Sequence, residues 1–337
     1  MAGVSIRNMS HWTPIVEPPR TRPEDRPPAI GWLLSRTWQI YRANAPLLLG
    51  LSALVQVPVA LLVLPAAISM QQAAVDQQRV LFEWMATLNQ LESRDPGAMD
   101  TLLEGQRRIF DALSPVLASS ALITGLGAFA GILSAGMVAR AVLIHEEGQP
   151  LSFRSVLSSL GGPWLSLLAL AVAVGLFMGL LGGGWWVLAS GAFGSADDPL
   201  DLLAVALVIV LGALIVLVLG ILALVRWCLA VPVLVAEELG PLRAIARSAA
   251  LTRGVGWEMV GIIFVSFLIV ALISAVPALF IAPLQFEAFI TRSSPALAVS
   301  LVLVLVLQLL LAPVVPTILT LTYRHLAHRR ATPAPAE

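Results

Sequence analysis

Six stretches of this chain, each more than twenty residues long, carry no charged side chain at all. They are Pro46 to Ser69, Val116 to Ala139, Pro163 to Ser190, Leu202 to Val225, Val260 to Ile281 and Pro295 to Thr322. A bilayer core of about 30 Å is crossed by roughly 20 apolar helical residues, so every one of them is long enough to span. Lipid offers a backbone N–H or C=O no partner, so such segments must satisfy their own hydrogen bonds, and a helix does so within one segment. The predicted fold class is therefore all-α: a polytopic membrane protein with six transmembrane helices. The 58 % hydrophobic and 12 % charged composition agrees, since soluble domains run at about 45–50 % and about 25 %.

The charges between the spans predict orientation. The chain has twenty basic residues, all arginine. Fifteen lie in the N-terminal region, the second and fourth loops and the C-terminal tail. The other five, Arg79, Arg94, Arg107, Arg108 and Arg292, lie on the opposite side. The positive-inside rule makes the fifteen-arginine side cytoplasmic, which places both termini there. Residues 1–28 are rich in proline and arginine and read as a disordered tail, too polar to offset chain entropy by burial. Residues 29–330 form the membrane domain, and 331–337 a short C-terminal tail.

The segment between the first two spans, residues 70–115, is long but helical in pattern. Val80, Leu81, Trp84, Leu88 and Leu91 recur at helical spacing, as do Leu102, Leu103, Ile109, Phe110 and Leu113. Asp95-Pro96-Gly97 divides the two runs. The expectation is an outer helical hairpin continuing both spans.

An internal repeat organises the other side. Glu146-Glu147-Gly148-Gln149-Pro150-Leu151 returns 91 residues later as Glu237-Glu238-Leu239-Gly240-Pro241-Leu242, with a fainter echo at Glu24-Asp25-Arg26-Pro27-Pro28. A short amphipathic stretch and a span follow each copy. This predicts three hairpins, each preceded by a cytoplasmic interfacial helix. In the first, Leu34, Trp38, Tyr41 and Ala45 share one face and Ser35, Arg36, Gln39 and Arg42 the other. In the third, Leu242, Ile245, Ala246 and Ala249 oppose Arg243, Arg247 and Ser248. The middle copy, Leu151 to Leu160, carries only Arg154. Such helices suit the headgroup zone, with apolar side chains down and arginines toward phosphate. The candidate lipid-headgroup or interfacial residues are Arg36, Trp38, Tyr41, Arg42, Arg154, Arg243, Arg247, Arg253, Trp257 and Glu258. For Glu258 the expected structural role is an ion pair with Arg243, Arg247 or Arg253.

Within the spans, Gln56 and Gln308 are the candidate intramembrane polar residues, suited to hydrogen bonds between helices. Gly175, Gly179 and Gly183, and Gly127 with Gly131, have the spacing of close helix contact. No Walker loop, zincin pair or nucleophile elbow occurs. The four histidines, His11, His145, His325 and His328, form no cluster with carboxylates in the sequence. No catalytic residue, metal ligand or cofactor is expected, and a zero net charge argues against nucleic acid.

Several segments resemble a known family, the membrane domain named after glycerophosphoryl diester phosphodiesterases, in a stand-alone form without the catalytic barrel. Leu34-Ser35-Arg36-Thr37-Trp38-Gln39-Ile40-Tyr41-Arg42-Ala43-Asn44 is similar to the family's leading helix. Pro232 to Glu237, with Gly240 to Ser248, is similar to its Pro-x-x-x-x-Glu ending and following Arg-Ser helix. Thr322-Tyr323-Arg324-His325-Leu326 stands where relatives carry a Tyr-x-Asp-Leu-Arg-like tail; here the acid is replaced and the arginine shifted. The resemblance, over about Ile30 to Arg330, implies a bacterial multi-span inner-membrane protein with no agreed activity for the domain alone. The functional expectation is a non-catalytic protein that binds anionic lipid or scaffolds at the cytoplasmic leaflet, with membrane lipids and a protein as its partners. The alternatives are a transporter for a lipid-like or hydrophobic solute, and an accessory subunit of a separate enzyme or transporter.

Overall fold

A computed structural model describes residues 28–90, 98–194, 199–291 and 294–331. The tail before residue 28, the Asp95-Pro96-Gly97 break, Asp197 and Asp198, Arg292 and residues 332–337 lie outside them. Among the described residues all regular structure is helical. In chain order the helices are α1 (Ile30–Gln90), α2 (Ala98–Glu146), α3 (Phe153–Ser159), α4 (Trp164–Gly194), α5 (Pro199–Trp227), α6 (Ala230–Glu237), α7 (Pro241–Leu251), α8 (Gly256–Thr291), α9 (Ser294–Leu311) and α10 (Val314–Ala331). Six segments among them are long and apolar enough to cross a membrane. Only 6 % of the fourth segment's most apolar window and 33 % of the second's is buried by protein. That much apolar surface needs an apolar solvent, so the chain is a multi-pass membrane protein.

Two helices are far longer than a span. α1 has 61 residues, roughly 90 Å at 1.5 Å per residue. A kink at Asn44 (φ −129°, ψ 21°) separates its first turns, about four, from the span. The cause is local: Pro46 leaves the Arg42 carbonyl without its usual donor, and its ring crowds that carbonyl one turn back. The Asn44 side-chain amide donates to the Ile40 carbonyl at 3.1 Å. Beyond the first span α1 runs on to Gln90, and α2 starts at Ala98. The two extensions touch where Gly105 lies against the Trp84 indole.

Successive spans pack in pairs, α1 along α2, α4 along α5 and α8 along α9. The pairs are tied together mainly at the arginine-rich edge. There α2 meets α4 and α6, α7 meets α4, α5 and α6, and α10 meets α1 and α2. Leu33, Ile40, Met137, Val142, Leu160, Leu229, Leu234, Leu251, Met259, Leu321 and Leu326 are all buried in this region. Farther along, α5 buries Val205 but exposes Leu207, Leu211, Leu214 and Leu217. Acyl chains are as apolar as leucine, so nothing drives those surfaces together, whereas at the water-facing edge burial is favourable.

The sixth span is broken where its prolines fall: α9 ends at Leu311 and α10 begins at Val314. Pro313 and Pro316 lack the N–H groups that would continue the ladder to Leu309 and Ala312. One expectation is corrected: the GxxxG glycines do not mark close contacts within the chain. A Cβ at Gly127, Gly131, Gly175, Gly179 or Gly183 would meet nothing within 4 Å. Close approach occurs instead at Gly105, at Gly136 against Leu167 and at Gly212 against Trp185. Spacing alone does not say which face of a span turns inward.

Candidate functional site at the arginine-rich edge

The two acidic pairs of the repeat each contribute their first carboxylate to a clamp. Glu146 ends α2. Its Oε1 accepts from Arg36 Nε at 2.9 Å and Arg36 Nη2 at 2.7 Å, and its Oε2 accepts from Arg324 Nη1 at 2.9 Å. α1, α2 and α10 are thereby joined through one carboxylate with a side chain 15 % exposed. Glu237 ends α6. Arg247 Nε of α7 lies 3.2 and 3.3 Å from its two oxygens, and the Tyr323 hydroxyl donates to Oε1 at 3.2 Å. Tyr323 and Arg324 are neighbours on α10, about 100° apart around the helix. One residue therefore reaches each repeat copy.

The clamps form where the local sequence bends the chain. After α6, Glu238 adopts a left-handed backbone (φ 50°). Gly240 then caps α7 and Pro241 occupies its first turn, where a missing N–H costs nothing. α7 lies back over α4, α5 and α6 through Ala244, Ser248 and Leu251, all fully buried. Ser248 is thus not on the polar face where its sequence neighbours placed it. Its hydroxyl donates to the Arg226 carbonyl at 2.7 Å, capping the end of α5. Replacing Ser248 with alanine should cost about 1 kcal/mol in thermal stability; valine, too bulky for this close contact, should cost more.

The remaining arginines divide sharply. Arg36 and Arg247 are engaged in the clamps. Arg42, Arg154 and Arg243 are exposed and make no ion pair or side-chain hydrogen bond among the described residues. Each of the three amphipathic helices therefore presents one uncommitted guanidinium. Each also presents a large apolar side chain beside it. Trp38 (63 % exposed) is one turn from Arg42, Phe153 adjoins Arg154, and Leu242 (74 %) adjoins Arg243. Trp38 stacks on Tyr41 at 6.2 Å between ring centres. The Tyr41 hydroxyl donates to the Leu310 carbonyl at 3.0 Å, beside the α9–α10 break.

On α3 a reciprocal pair of hydrogen bonds, Ser155 N–H to Ser152 Oγ and Ser152 N–H to Ser155 Oγ, both 3.1 Å, closes the first turn and sets Arg154 outward. Arg253 is exposed in the turn after α7, and Trp257 at the start of α8 is 86 % exposed. Glu258 has no ion-pair partner among the described residues; Arg247, one of its expected partners, lies on Glu237. The reason is reach: α7 folds its arginine back toward α6 rather than forward to α8.

Gln56 and Gln308 are not brought together by a hydrogen bond. The Gln56 amide donates to Ser134 Oγ across the α1–α2 contact at 3.5 Å. Gln308 is exposed, in the last turn of α9, close to where Tyr41 reaches Leu310. Sequence reasoning left Glu146, Glu237, Tyr323 and Arg324 out of the candidate set. A signal was present in the repeat itself, whose acidic pairs stand 91 residues apart. What it lacked was the partner, since the clamping residues come from 86, 110 and 178 positions away.

Residues 200–335 match the family model of the membrane domain of glycerophosphoryl diester phosphodiesterase. The match takes in α5 to α10, and with them the Glu237 clamp and both clamping residues of α10. The first three spans, up to residue 199, lie outside it. No curated protein and no solved structure matches the chain.

Proposed function

We propose that this membrane protein binds anionic lipid at its arginine-rich edge and catalyses no reaction there. The observation that carries the reading is the uncommitted arginine on each of α1, α3 and α7, set beside an exposed aromatic or leucine side chain. An apolar side chain seated among acyl chains with a guanidinium at phosphate height is how an amphipathic helix grips a charged leaflet. Arginine suits this task because it stays charged and offers phosphate two parallel N–H bonds. By the positive-inside rule that edge is the cytoplasmic one. The matched description, a membrane domain, agrees with a role carried by the helices themselves.

Each such arginine contributes about 1 kcal/mol against an anionic leaflet. The triple variant R42Q/R154Q/R243Q should therefore lose roughly 100-fold in its preference for phosphatidylglycerol over phosphatidylcholine. Native mass spectrometry of protein released from mixed-lipid nanodiscs reads this directly. Equal retention of both lipids by the unaltered protein would end the proposal. So would an unchanged preference in the triple variant.

A further inference from the structure

The two clamps are built alike but are not balanced alike. Around Glu237 stand one guanidinium and one neutral phenol, so the charges cancel. Around Glu146 stand two guanidiniums, Arg36 and Arg324, so one positive charge is left over. The surplus sits in a confined place. Glu146 is 15 % exposed, and Arg36 and Arg324 are 37 % and 38 % exposed, so water reaches one side of the group. The donors are also unequally used. Arg36 bonds Glu146 through Nε and Nη2 and Gln39 through Nη1. Arg324 uses Nη1 alone, which leaves its Nε and Nη2 uncommitted. Only Nη1 of Arg324 reaches Glu146, so its remaining donors are open to another acceptor.

We propose that the Arg36–Glu146–Arg324 clamp is a phosphate-binding subsite, in which a phosphate group docks on the free edge of Arg324 and balances the surplus charge. A tetrahedral oxyanion fits the demand: it accepts two N–H bonds from one guanidinium edge and carries the missing negative charge. Glu146 orients both arginines and limits the net charge to one. The subsite lies between α1, α2 and α10 and uses none of the three outward arginines of α1, α3 and α7, so it goes beyond the leaflet contact and does not depend on it. The phosphate can belong to a lipid headgroup or be free in solution; the chemistry of recognition is the same.

The test is thermal unfolding of the full chain carrying R42Q/R154Q/R243Q, a background that removes the leaflet-facing arginines. Inorganic phosphate is added in detergent against chloride at matched ionic strength, and phosphatidic acid against phosphatidylcholine in nanodiscs. The expected result is a rise of several degrees with at least one phosphate source. The rise should vanish in R36Q and in R324Q, each of which leaves one arginine paired with Glu146 and no surplus charge. It should persist in Y323F, which alters only the balanced clamp. A shift with inorganic phosphate assigns free phosphate as sufficient; a shift with phosphatidic acid alone assigns a headgroup. No phosphate-specific rise, or a rise that survives in either R36Q or R324Q, overturns the subsite. Because the background already lacks the outward arginines, either reading can fail while the other stands.

Discussion

Glu146→Ala should lower the unfolding free energy by about 2 kcal/mol. The carboxylate is 15 % exposed and holds guanidiniums from both ends of the chain. Removing it leaves Arg36 and Arg324 facing each other with no counter-charge. Losing one partner of a buried pair costs about 3–5 kcal/mol; here both arginines are more than a third exposed, and solvent screening reduces the figure. Thermal unfolding in detergent measures the loss, and a double-mutant cycle with R324Q isolates the coupling. Glu104→Ala, which removes an exposed i,i+4 pair with Arg108 in the outer extension, serves as the comparison and should stay within about 0.5 kcal/mol. If Glu146→Ala and Glu104→Ala proved equally mild, the clamp would not be holding α1, α2 and α10 together.

The second large effect is expected at Gly136. A Cβ there would stand 2.6 Å from Leu167 Cδ1 and 3.3 Å from Cγ. Leu167 is fully buried, so its side chain has nowhere to swing. The contact joins α2 to α4 and thereby the first pair of spans to the second. Gly136→Val should cost roughly 3 kcal/mol, the upper range for overpacking a tight core. The double variant with Leu167→Ala should recover part of the loss by making room. Unfolding temperatures of the two single variants and the double variant decide it; a Gly136→Val protein as stable as its parent would show that the α2–α4 junction is looser than the geometry implies. Gly212→Ala makes a similar clash with Trp185. Trp185 is only half-buried, so the ring can move into lipid and the effect should be smaller.

The apolar runs disclosed the spans because their signal is local. Every residue from Leu202 to Val225 argues for the same helix whatever its neighbours do. The long helical segment between the first two spans was readable for the same reason, through Val80, Leu81 and Trp84. What failed was inference about faces. Ser248 looked polar and outward yet is buried under α5, and Gly179 looked like a contact residue yet meets nothing. In a membrane protein both the inward and the lipid-facing sides are apolar, so periodicity loses its meaning within the spans. The repeat marked Glu146 and Glu237 as a related pair but not as acceptors, since it is silent on what lies across from them.

Hydropathy and arginine placement were enough to determine the helical class, the six crossings and the edge where the positive charge collects, because each depends on a segment's own composition in a medium that tolerates no bare backbone. Which arginines are tied down and which remain free was decided only by packing. Arg36 and Arg42 are six residues apart on one helix and chemically identical. Coulomb energy falls with distance in space, not along the chain, and only the return of α10 across α1 and α2 sets Arg324 and Arg36 on one carboxylate while Arg42 is left facing out.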